Sequence, residues 1–279
     1  MPPPLVEIYD ALRSGHGGPH VEVGRPTGPG WIAGADLRTA ASGSFNDLLT
    51  RIGARDDPRD RRTVAASFAL RFGWASGMAI APFLRHRCVP DIALENVSFK
   101  FRPSTFFEHA AIHVPRGVVV AGDPRAVDPS VTTVADGAAL IAELRRALVA
   151  KATPVVEALY AWSGFARRGT WGQLTSSWAS QFTALCEDPL DHRAIRAPLE
   201  SLFDGDDLVA RMRPRLHEVR HGNAVHLFQR RASCCRYYLL PAGELCTSCP
   251  LVADAARLEK NVAWMQSQVA RAGSSRGHE

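Results

Sequence analysis

Four of the six cysteines of this chain fall within sixteen residues near its C-terminus. Cys234 and Cys235 are adjacent, and Cys246 and Cys249 complete a C-C-x10-C-x2-C pattern. Thiols that lie so close in sequence can converge on one point, where they form either disulfide bonds or a soft metal centre. The rest of the chain has to distinguish these two outcomes.

The length and the N-terminus of the chain favour a metal over disulfide bonds. With 279 residues, the chain can bury a large core without crosslinks. The sequence from Met1 to Leu5 lacks the basic and then apolar segments of a secretory signal. We therefore expect a cytoplasmic protein, and cytosolic thiols stay reduced, so that clustered cysteines there hold metal or carry out redox chemistry.

The charge of the chain restricts its partners. The formal net charge is +5, and nearly all of the positive charge is arginine. Neither a lysine-rich tail nor interleaved base-stacking aromatics are present, so we do not expect a nucleic-acid partner. A moderately basic surface favours an anionic ligand or an acidic protein donor.

One apolar stretch, from Val64 to Leu84, approaches the length of a membrane span. Arg71 lies near its middle and Pro82 near its end, and both are unfavourable in a spanning helix. We interpret the stretch as a buried core helix. A peripheral association with a membrane stays possible on this basis.

The hydrophobic patterns predict an α+β fold with a mainly helical body and a small central antiparallel sheet. A long helix is expected over residues 61–85, a half-buried strand over 96–101 and a strand pair over 110–120. The Gly- and Pro-rich segment 15–34 is expected to be a loop. Further helices are predicted over residues 132–151, 154–165, 172–186, 192–203 and 206–217.

The C-terminal part is predicted to be a cysteine-rich hairpin followed by a helix. Strands over 225–230 and 237–240 flank the first cysteine pair, and a turn follows at 241–243. The final helix carries apolar residues at spacings of four and three, which predicts an apolar face that docks on the body. These residues are Leu251, Ala255, Leu258, Val262, Met265 and Val269.

The spacing of the cysteines leaves two metal centres open. Four thiolates satisfy a two-iron cluster, which needs two ligands on each iron, and Cys246-Thr247-Ser248-Cys249 has the spacing of a tight turn that aims two thiolates at one centre. Zinc is the alternative, but zinc sites draw on two C-x2-4-C pairs, which the adjacent Cys234 and Cys235 match poorly. Neighbouring side chains of a regular strand point to opposite faces, so the backbone must leave strand geometry at this pair.

The context of the cysteines resembles a known family. The sequence from Arg230 to Tyr238, followed by Gly243, Cys246 and Cys249-Pro250, resembles the C-terminal signature of the FhuF-like ferric-siderophore reductases. The helical stretch that runs into Val89-Pro90-Asp91 and the Trp171-Gly172 start of a Ser- and Ala-rich helix are also similar. Only the cysteine pattern is specific enough to transfer residues.

This resemblance implies a [2Fe-2S] cluster with Cys234, Cys235, Cys246 and Cys249 as its ligands. It implies an iron–sulfur oxidoreductase that reduces iron(III) in hydroxamate-type siderophores to iron(II), without a catalytic acid, base or nucleophile. Electrons would come from a ferredoxin or a flavin reductase, since no G-x-G-x-x-G dinucleotide fingerprint is visible. Residues 1–222 would form the substrate-binding body and residues 223–279 the iron–sulfur subdomain with its closing helix.

A binding protein is the second hypothesis. In that case the helical body would capture a siderophore or assemble with a partner, and the four cysteines would hold a structural zinc ion. For the cluster, Ser233, Arg236 and Thr247 are the side chains expected next to the metal, and a solvated Arg236 is the alternative.

Several other motifs favour ordinary structural roles. His217-Glu218-Val219-Arg220-His221 matches the H-E-x-x-H zinc-protease motif, but Gly222-Asn223 would end the helix at once. The remaining candidates are expected to be core or surface residues: Cys88, His109, His113, Arg167, Arg168, Trp171, Trp178 and Cys186.

Overall fold

The computed structural model describes residues 2–14, 20–41, 43–55, 60–188, 191–240 and 243–275. Its helices are α1 (Pro4–Ser14), α2 (Gly43–Arg55), α3 (Arg61–Trp74), α4 (Gly77–His86), α5 (Gly137–Ser163), α6 (Arg167–Ala184), α7 (Arg193–Leu202), α8 (Leu208–Arg211) and α9 (Asp254–Ser275). Its strands are β1 (His20–Val23), β2 (Trp31–Ala33), β3 (Cys88–Pro90), β4 (Val97–Phe101), β5 (Phe107–Ile112), β6 (Gly117–Val120), β7 (Val131–Val134), β8 (Arg215–His221) and β9 (Ala224–Arg230).

The strands form three small sheets, in the orders β1-β5-β4-β2, β3-β6-β7 and β8-β9. The pairs β1–β5 and β6–β7 are parallel, and the other pairs are antiparallel. The predicted α+β class is confirmed. Two mixed sheets replace the single antiparallel sheet that we expected. One contains β1 and β2, which form within the segment whose glycines and prolines indicated a loop, and the other contains β7, which replaces the start of the helix predicted over residues 132–151.

Two buried helices, α3 and α6, form the centre of the core. Phe68 and Phe72 of α3 stack on each other with ring centroids 5.6 Å apart. Gly73 allows the two helices to approach closely, since a Cβ atom there would lie 2.4 Å from the Cβ of Ser177 on α6. The hydroxyl of Ser177 donates to the carbonyl oxygen of Leu70 at 3.1 Å. Helix α6 is thereby fixed against the body, and α6 is the helix that meets the cysteine segment.

The helix predicted over residues 61–85 is two helices, separated at Ala75 and Ser76. Ala75 donates its N–H to the Phe72 carbonyl at 3.0 Å, and the Ser76 hydroxyl binds the Gly73 carbonyl at 2.6 Å. These local bonds replace helical ones where flanking glycines make helix continuation costly. The range Arg61–His86 is apolar and long enough to cross a membrane, but 83% of its most apolar window is buried inside the protein. The prediction of buried core helices is confirmed.

Helix α5 merges two predicted helices, and Pro154 lies inside it. The proline removes one backbone hydrogen bond at this point. Leu148, Val155 and Leu159 are completely buried along the same helix, so tertiary burial offsets the cost of the proline.

The C-terminal part is correctly predicted in β9 and α9 and wrong in two places. Tyr237–Leu239 is a 3-10 turn, where we expected a strand. The helix predicted to reach residue 217 ends in α8, and β8 begins at Arg215 to pair with β9. The division at residues 222 and 223 falls in the turn between β8 and β9, and the proposed two domains stay a prediction.

The docking face of α9 differs from the expected apolar stripe. Among the side chains of α9 that the structure describes, the buried ones are Arg257, Asn261 and Met265, at successive spacings of four. Leu258, a member of the predicted stripe, is 49% exposed. The helix is therefore held by polar contacts as much as by apolar ones. One of these polar residues, Arg257, binds the backbone of the cysteine segment.

We expect Gly73→Ala to destabilise the protein, because the added methyl group would overlap the side chain of Ser177. Overpacking of this kind costs about 1–3 kcal/mol. Chemical denaturation monitored by circular dichroism measures the loss. Gly43→Ala is the matched control, since a Cβ there meets nothing within 4 Å. Equal free energies of unfolding for the two variants would contradict the close approach of α3 and α6.

Candidate metal centre

The first cysteine pair lies in an irregular segment that begins directly after β9. Cys234 and Cys235 are followed by Arg236, whose φ of 63° places it in the left-handed region. The chain therefore turns immediately after the pair and leaves strand geometry, as the adjacency required. The N–H of Arg236 donates to the Cys234 sulfur at 3.3 Å, and the N–H of Tyr237 donates to the Cys235 sulfur.

Ser233 ties this segment to α6. The side-chain amide of Gln173 donates to the Ser233 hydroxyl at 2.7 Å and to its carbonyl oxygen at 3.1 Å. The Ser233 hydroxyl in turn donates to the Gly169 carbonyl at 2.8 Å. A Cβ atom at Gly172 would lie 2.4 Å from the Ser233 hydroxyl, so only glycine allows this approach. The residue before the first cysteine is thus fixed on a buried helix.

Arg236 ties the other end of the pair to the start of α3. Its guanidinium donates to the Thr63 hydroxyl at 2.9 Å and forms an ion pair with Asp60 at 2.5 Å. Asp60 also caps α3 by accepting the N–H of Arg62 at 2.9 Å. Burial by itself would raise the pKa of Asp60, but the hydrogen bonds from Thr63 and Arg236 outweigh it and lower the pKa. The carboxylate stays charged and holds both partners.

The second cysteine pair lies on a tight turn. The N–H of Cys249 donates to the Cys246 carbonyl at 3.0 Å. Ser248 donates its N–H to the Cys246 sulfur, and its hydroxyl lies 3.4 Å from the same atom. The N–H of Arg231 donates to the Ser248 carbonyl at 2.9 Å, so the two halves of the segment are joined through the backbone.

Arg257 of α9 binds the backbone of this turn. Its side chain is only 3% exposed. The guanidinium donates to the carbonyl oxygens of Thr247 at 3.1 Å, Cys249 at 2.8 Å and Val252 at 2.6 Å, and it pairs with Asp254. A planar guanidinium with five donors can satisfy this many acceptors at once, which an ammonium group cannot do in the same geometry.

Each cysteine of the first pair contacts one cysteine of the second pair. Cys234 hydrogen-bonds to Cys249, and Cys235 hydrogen-bonds to Cys246. All six cysteines of the chain are free thiols. The four clustered cysteines all lie in the described part of the chain, and no three of their sulfur atoms lie within 4.8 Å of one another. The arrangement is therefore two pairs rather than one compact tetrahedron.

The side chain of Arg231 places positive charge beside two of the sulfurs. Arg231 lines a small cavity together with Cys235 and Cys246, and its charge favours the thiolate form of both. The buried Nε and Nη1 atoms of Arg231 have no hydrogen-bond partner among the described residues. The hydrogen bond that Cys235 donates raises the pKa of Cys235 and lowers the pKa of Cys246.

These features fit an anionic metal–thiolate group with two metal ions. An unpaired buried guanidinium is costly unless an acceptor lies next to it, and bound sulfide or thiolate would supply that acceptor. A single zinc ion draws all four sulfurs to about 2.3 Å from one point, whereas two separated pairs match one pair for each iron of a two-iron cluster. The geometry thus favours the cluster over zinc.

The comparison with known families agrees with this conclusion. Residues 231–251 match the family model described as the FhuF 2Fe-2S C-terminal domain. The chain is thus FhuF-like over its cysteine segment, and the cofactor of this domain is a [2Fe-2S] cluster. A search of the curated proteins finds no match. The assignment of the four individual ligands stays a prediction.

The three side chains expected next to the metal contact other groups. Ser233 binds α6, the guanidinium of Arg236 binds Asp60, and Thr247 contributes its carbonyl to Arg257. The charge of Arg236 still favours the thiolate form of Cys234, and its N–H donates to that sulfur. Arg231, which we did not predict, places positive charge beside Cys235 and Cys246.

The H-E-x-x-H motif, the two tryptophans of α6 and the two remaining cysteines have structural roles, as expected. His217 and His221 lie on strand β8, where residues four apart are separated by about 13 Å, so the H-E-x-x-H motif cannot form the helical zinc site. Trp171 and Trp178 are buried in edge contact at 6.2 Å. Burial raises the pKa of Cys88 and of Cys186 to about 11, which leaves both as unreactive thiols.

Three supporting residues were not predicted: Asp60, Gln173 and Arg257. Gln173 belongs to a run of buried polar residues on α6, which is unusual for a core helix and could have indicated a polar partner. Asp60 and Arg257 carry no such signal, because charged residues at helix starts are common in ordinary proteins.

We expect Arg257→Gln to loosen the second cysteine pair. The shorter side chain leaves carbonyl oxygens of Thr247, Cys249 or Val252 unsatisfied, and each unsatisfied buried group costs about 1–3 kcal/mol. Visible absorption of the cluster during incubation with an iron chelator measures the effect as faster bleaching. Lys260→Gln, an exposed position on the same helix, is the control. Equal bleaching rates for both variants would show that α9 does not hold the turn.

Proposed function

We propose that this protein is a cytoplasmic one-electron reductase of ferric siderophores, with Cys234, Cys235, Cys246 and Cys249 as the ligands of its [2Fe-2S] cluster. The observation that carries the proposal is the arrangement of the four cysteines as two pairs beside Arg231, whose buried Nε and Nη1 atoms have no hydrogen-bond partner among the described residues. The match of residues 231–251 to the FhuF 2Fe-2S C-terminal domain supports it.

The chemistry of the substrate requires an electron and little else. Hydroxamate oxygens are hard ligands that suit iron(III), and iron(II) is larger, less charged and more weakly held. One electron given to the bound iron therefore releases it. When bound, a two-iron cluster supplies electrons one at a time. The reaction requires no catalytic acid, base or nucleophile at the site.

The chain contributes the position of the sulfurs and the charge around them. Ser233, Arg236 and Arg257 fix the backbone on each side of the cysteines. Arg231 favours the state with more negative charge at the site, which raises the reduction potential. The N–H groups of Arg236, Tyr237 and Ser248 donate to sulfur and act in the same direction.

The cavity next to the sulfurs is too small for a whole siderophore. It measures about 150 Å³ and is lined by Thr63, Ser67, Leu70, Arg231, Cys235, Tyr237, Leu240 and Cys246. Pockets for drug-sized ligands range from about 300 to 1,000 Å³. We propose that the ferric chelate stays on the surface above Cys235, where Tyr237 and Tyr238 are 51% and 41% exposed, and receives the electron there.

The electron must come from another protein. The sequence carries no dinucleotide fingerprint, so a ferredoxin or a flavin reductase is the proposed donor. The net charge of +5 favours an acidic donor surface. Six free cysteines support a reducing compartment, the cytoplasm, as the site of action. Peripheral contact with a membrane stays a prediction.

We expect Cys246→Ser to abolish both the visible absorption of the cluster and the reduction of a ferric hydroxamate. The hard hydroxyl replaces a soft thiolate at one of two ligands of one iron. The protein is purified anaerobically and its iron, sulfide and absorption are measured. Dithionite-reduced protein is then mixed with the ferric chelate, and released iron(II) is trapped with a colorimetric chelator.

Cys186→Ala is the matched control, because Cys186 is a buried free thiol with no contact to the clustered cysteines. It should retain the cluster and the activity. A colourless wild-type preparation with stoichiometric zinc would refute the reductase. Full turnover by Cys246→Ser would show that the electron takes another route.

A further inference from the structure

A second group of metal-ligating side chains lies on the four-stranded sheet. His20 and Glu22 are on β1, and His109 is on β5. His20 lies directly opposite His109 in the parallel register of the two strands. Glu22 is two residues beyond His20 and therefore on the same face of the sheet. The strand register, rather than a flexible loop, brings the three side chains together.

The donor atoms of this group converge. One ring nitrogen of His20, one ring nitrogen of His109 and a carboxylate oxygen of Glu22 lie within 4.8 Å of one another. The imidazole rings stack with centroids 4.2 Å apart. The Nδ1 atom of His109 is 3.9 Å from the Glu22 Oε1 atom, which is too long for a hydrogen bond. These separations exceed those between the ligands of one bound ion, so the side chains must rotate inward to bind it.

The backbone beneath the group is fixed. Val21, Ala110 and Ile112 point to the opposite face of the sheet and are buried in the core. The N–H of Gly24 continues the ladder by donating to the Ile112 carbonyl at 2.8 Å. Only side-chain rotations are needed to bring the three donors closer, because the strands are held by this packing.

We propose that His20, Glu22 and His109 form a binding site for a divalent first-row transition ion such as Zn²⁺. Two imidazoles and one carboxylate are the ligand set that such ions prefer over Mg²⁺ or Ca²⁺, which select oxygen. Three protein ligands leave at least one coordination position open, the arrangement of zinc sites that bind water or a small ligand. The site is separate from the cysteine segment in both sequence and chemistry.

The charges around the group predict the direction in which a substitution changes the affinity for a metal ion. Burial lowers the pKa of His109, with smaller contributions from His20 and Lys100, and this favours the neutral ring that a metal ligand requires. Lys100 lies opposite His109 on β4, and its ammonium is 6.0 Å from the ring centroid of Trp31. This positive charge opposes a cation at the site, so its removal strengthens binding.

Isothermal titration of Zn²⁺ into the anaerobically purified protein with its cluster in place tests the site. We expect one equivalent of Zn²⁺ whose affinity falls by about tenfold or more in Glu22→Gln and in His109→Gln. His221→Gln, which changes a histidine at the end of β8, should bind as the unaltered protein does. Lys100→Gln should bind more tightly. Titration with Co²⁺ adds a spectrum that distinguishes nitrogen and oxygen ligands from thiolates.

Unchanged affinity in both Glu22→Gln and His109→Gln would overturn the proposal, as would a Co²⁺ spectrum of thiolate ligation alone. Circular dichroism shows whether each variant is folded. Glu22 is 44% exposed, so Glu22→Gln preserves the fold and decides the result even if His109→Gln does not. Loss of the cluster in Cys246→Ser leaves this prediction unchanged, so the two proposals fail separately.

Discussion

The position of the cysteines depends on hydrogen bonds between side chains and backbone. The segment after β9 has neither a long helix nor a ladder of its own, so its backbone groups need other partners. Gln173 of α6, Asp60 and Thr63 at the start of α3, and Arg257 of α9 supply them. Three helices that are distant in sequence thus define where the sulfurs lie.

This mode of support has a consequence for redox chemistry. A site held by buried, satisfied polar contacts changes little when charge is added, and little reorganisation favours electron transfer and a stable cluster. Not every buried group is satisfied, because two nitrogens of Arg231 and the Oε1 atom of Gln173 have no hydrogen-bond partner among the described residues. An anionic group at the site would supply an acceptor for the Arg231 nitrogens. Arg231 therefore differs in role from the residues that hold the backbone.

The body of the protein does more than support the C-terminal segment. Close helix packing at Gly73 places α6 where Ser233 can reach it, and the four-stranded sheet presents His20, Glu22 and His109 on its outer face. The helix packing depends on the space that Gly73 leaves, and the position of the three side chains depends on the register of β1 and β5. Both depend on contacts between residues far apart in the chain, and a mixed sheet was needed to bring β1 beside β5.

Composition and spacing are local properties, so they were sufficient to predict the α+β class, the cysteine motif with its soft-metal chemistry, and the burial of the apolar stretch 64–84. They also predicted that the backbone leaves strand geometry at Cys234 and Cys235. The pairing of the sulfurs and the position of Arg231 beside Cys235 and Cys246 depend on tertiary contacts instead. A single left-handed residue reverses the direction of a side chain, and its effect depends on helices that the local sequence does not specify.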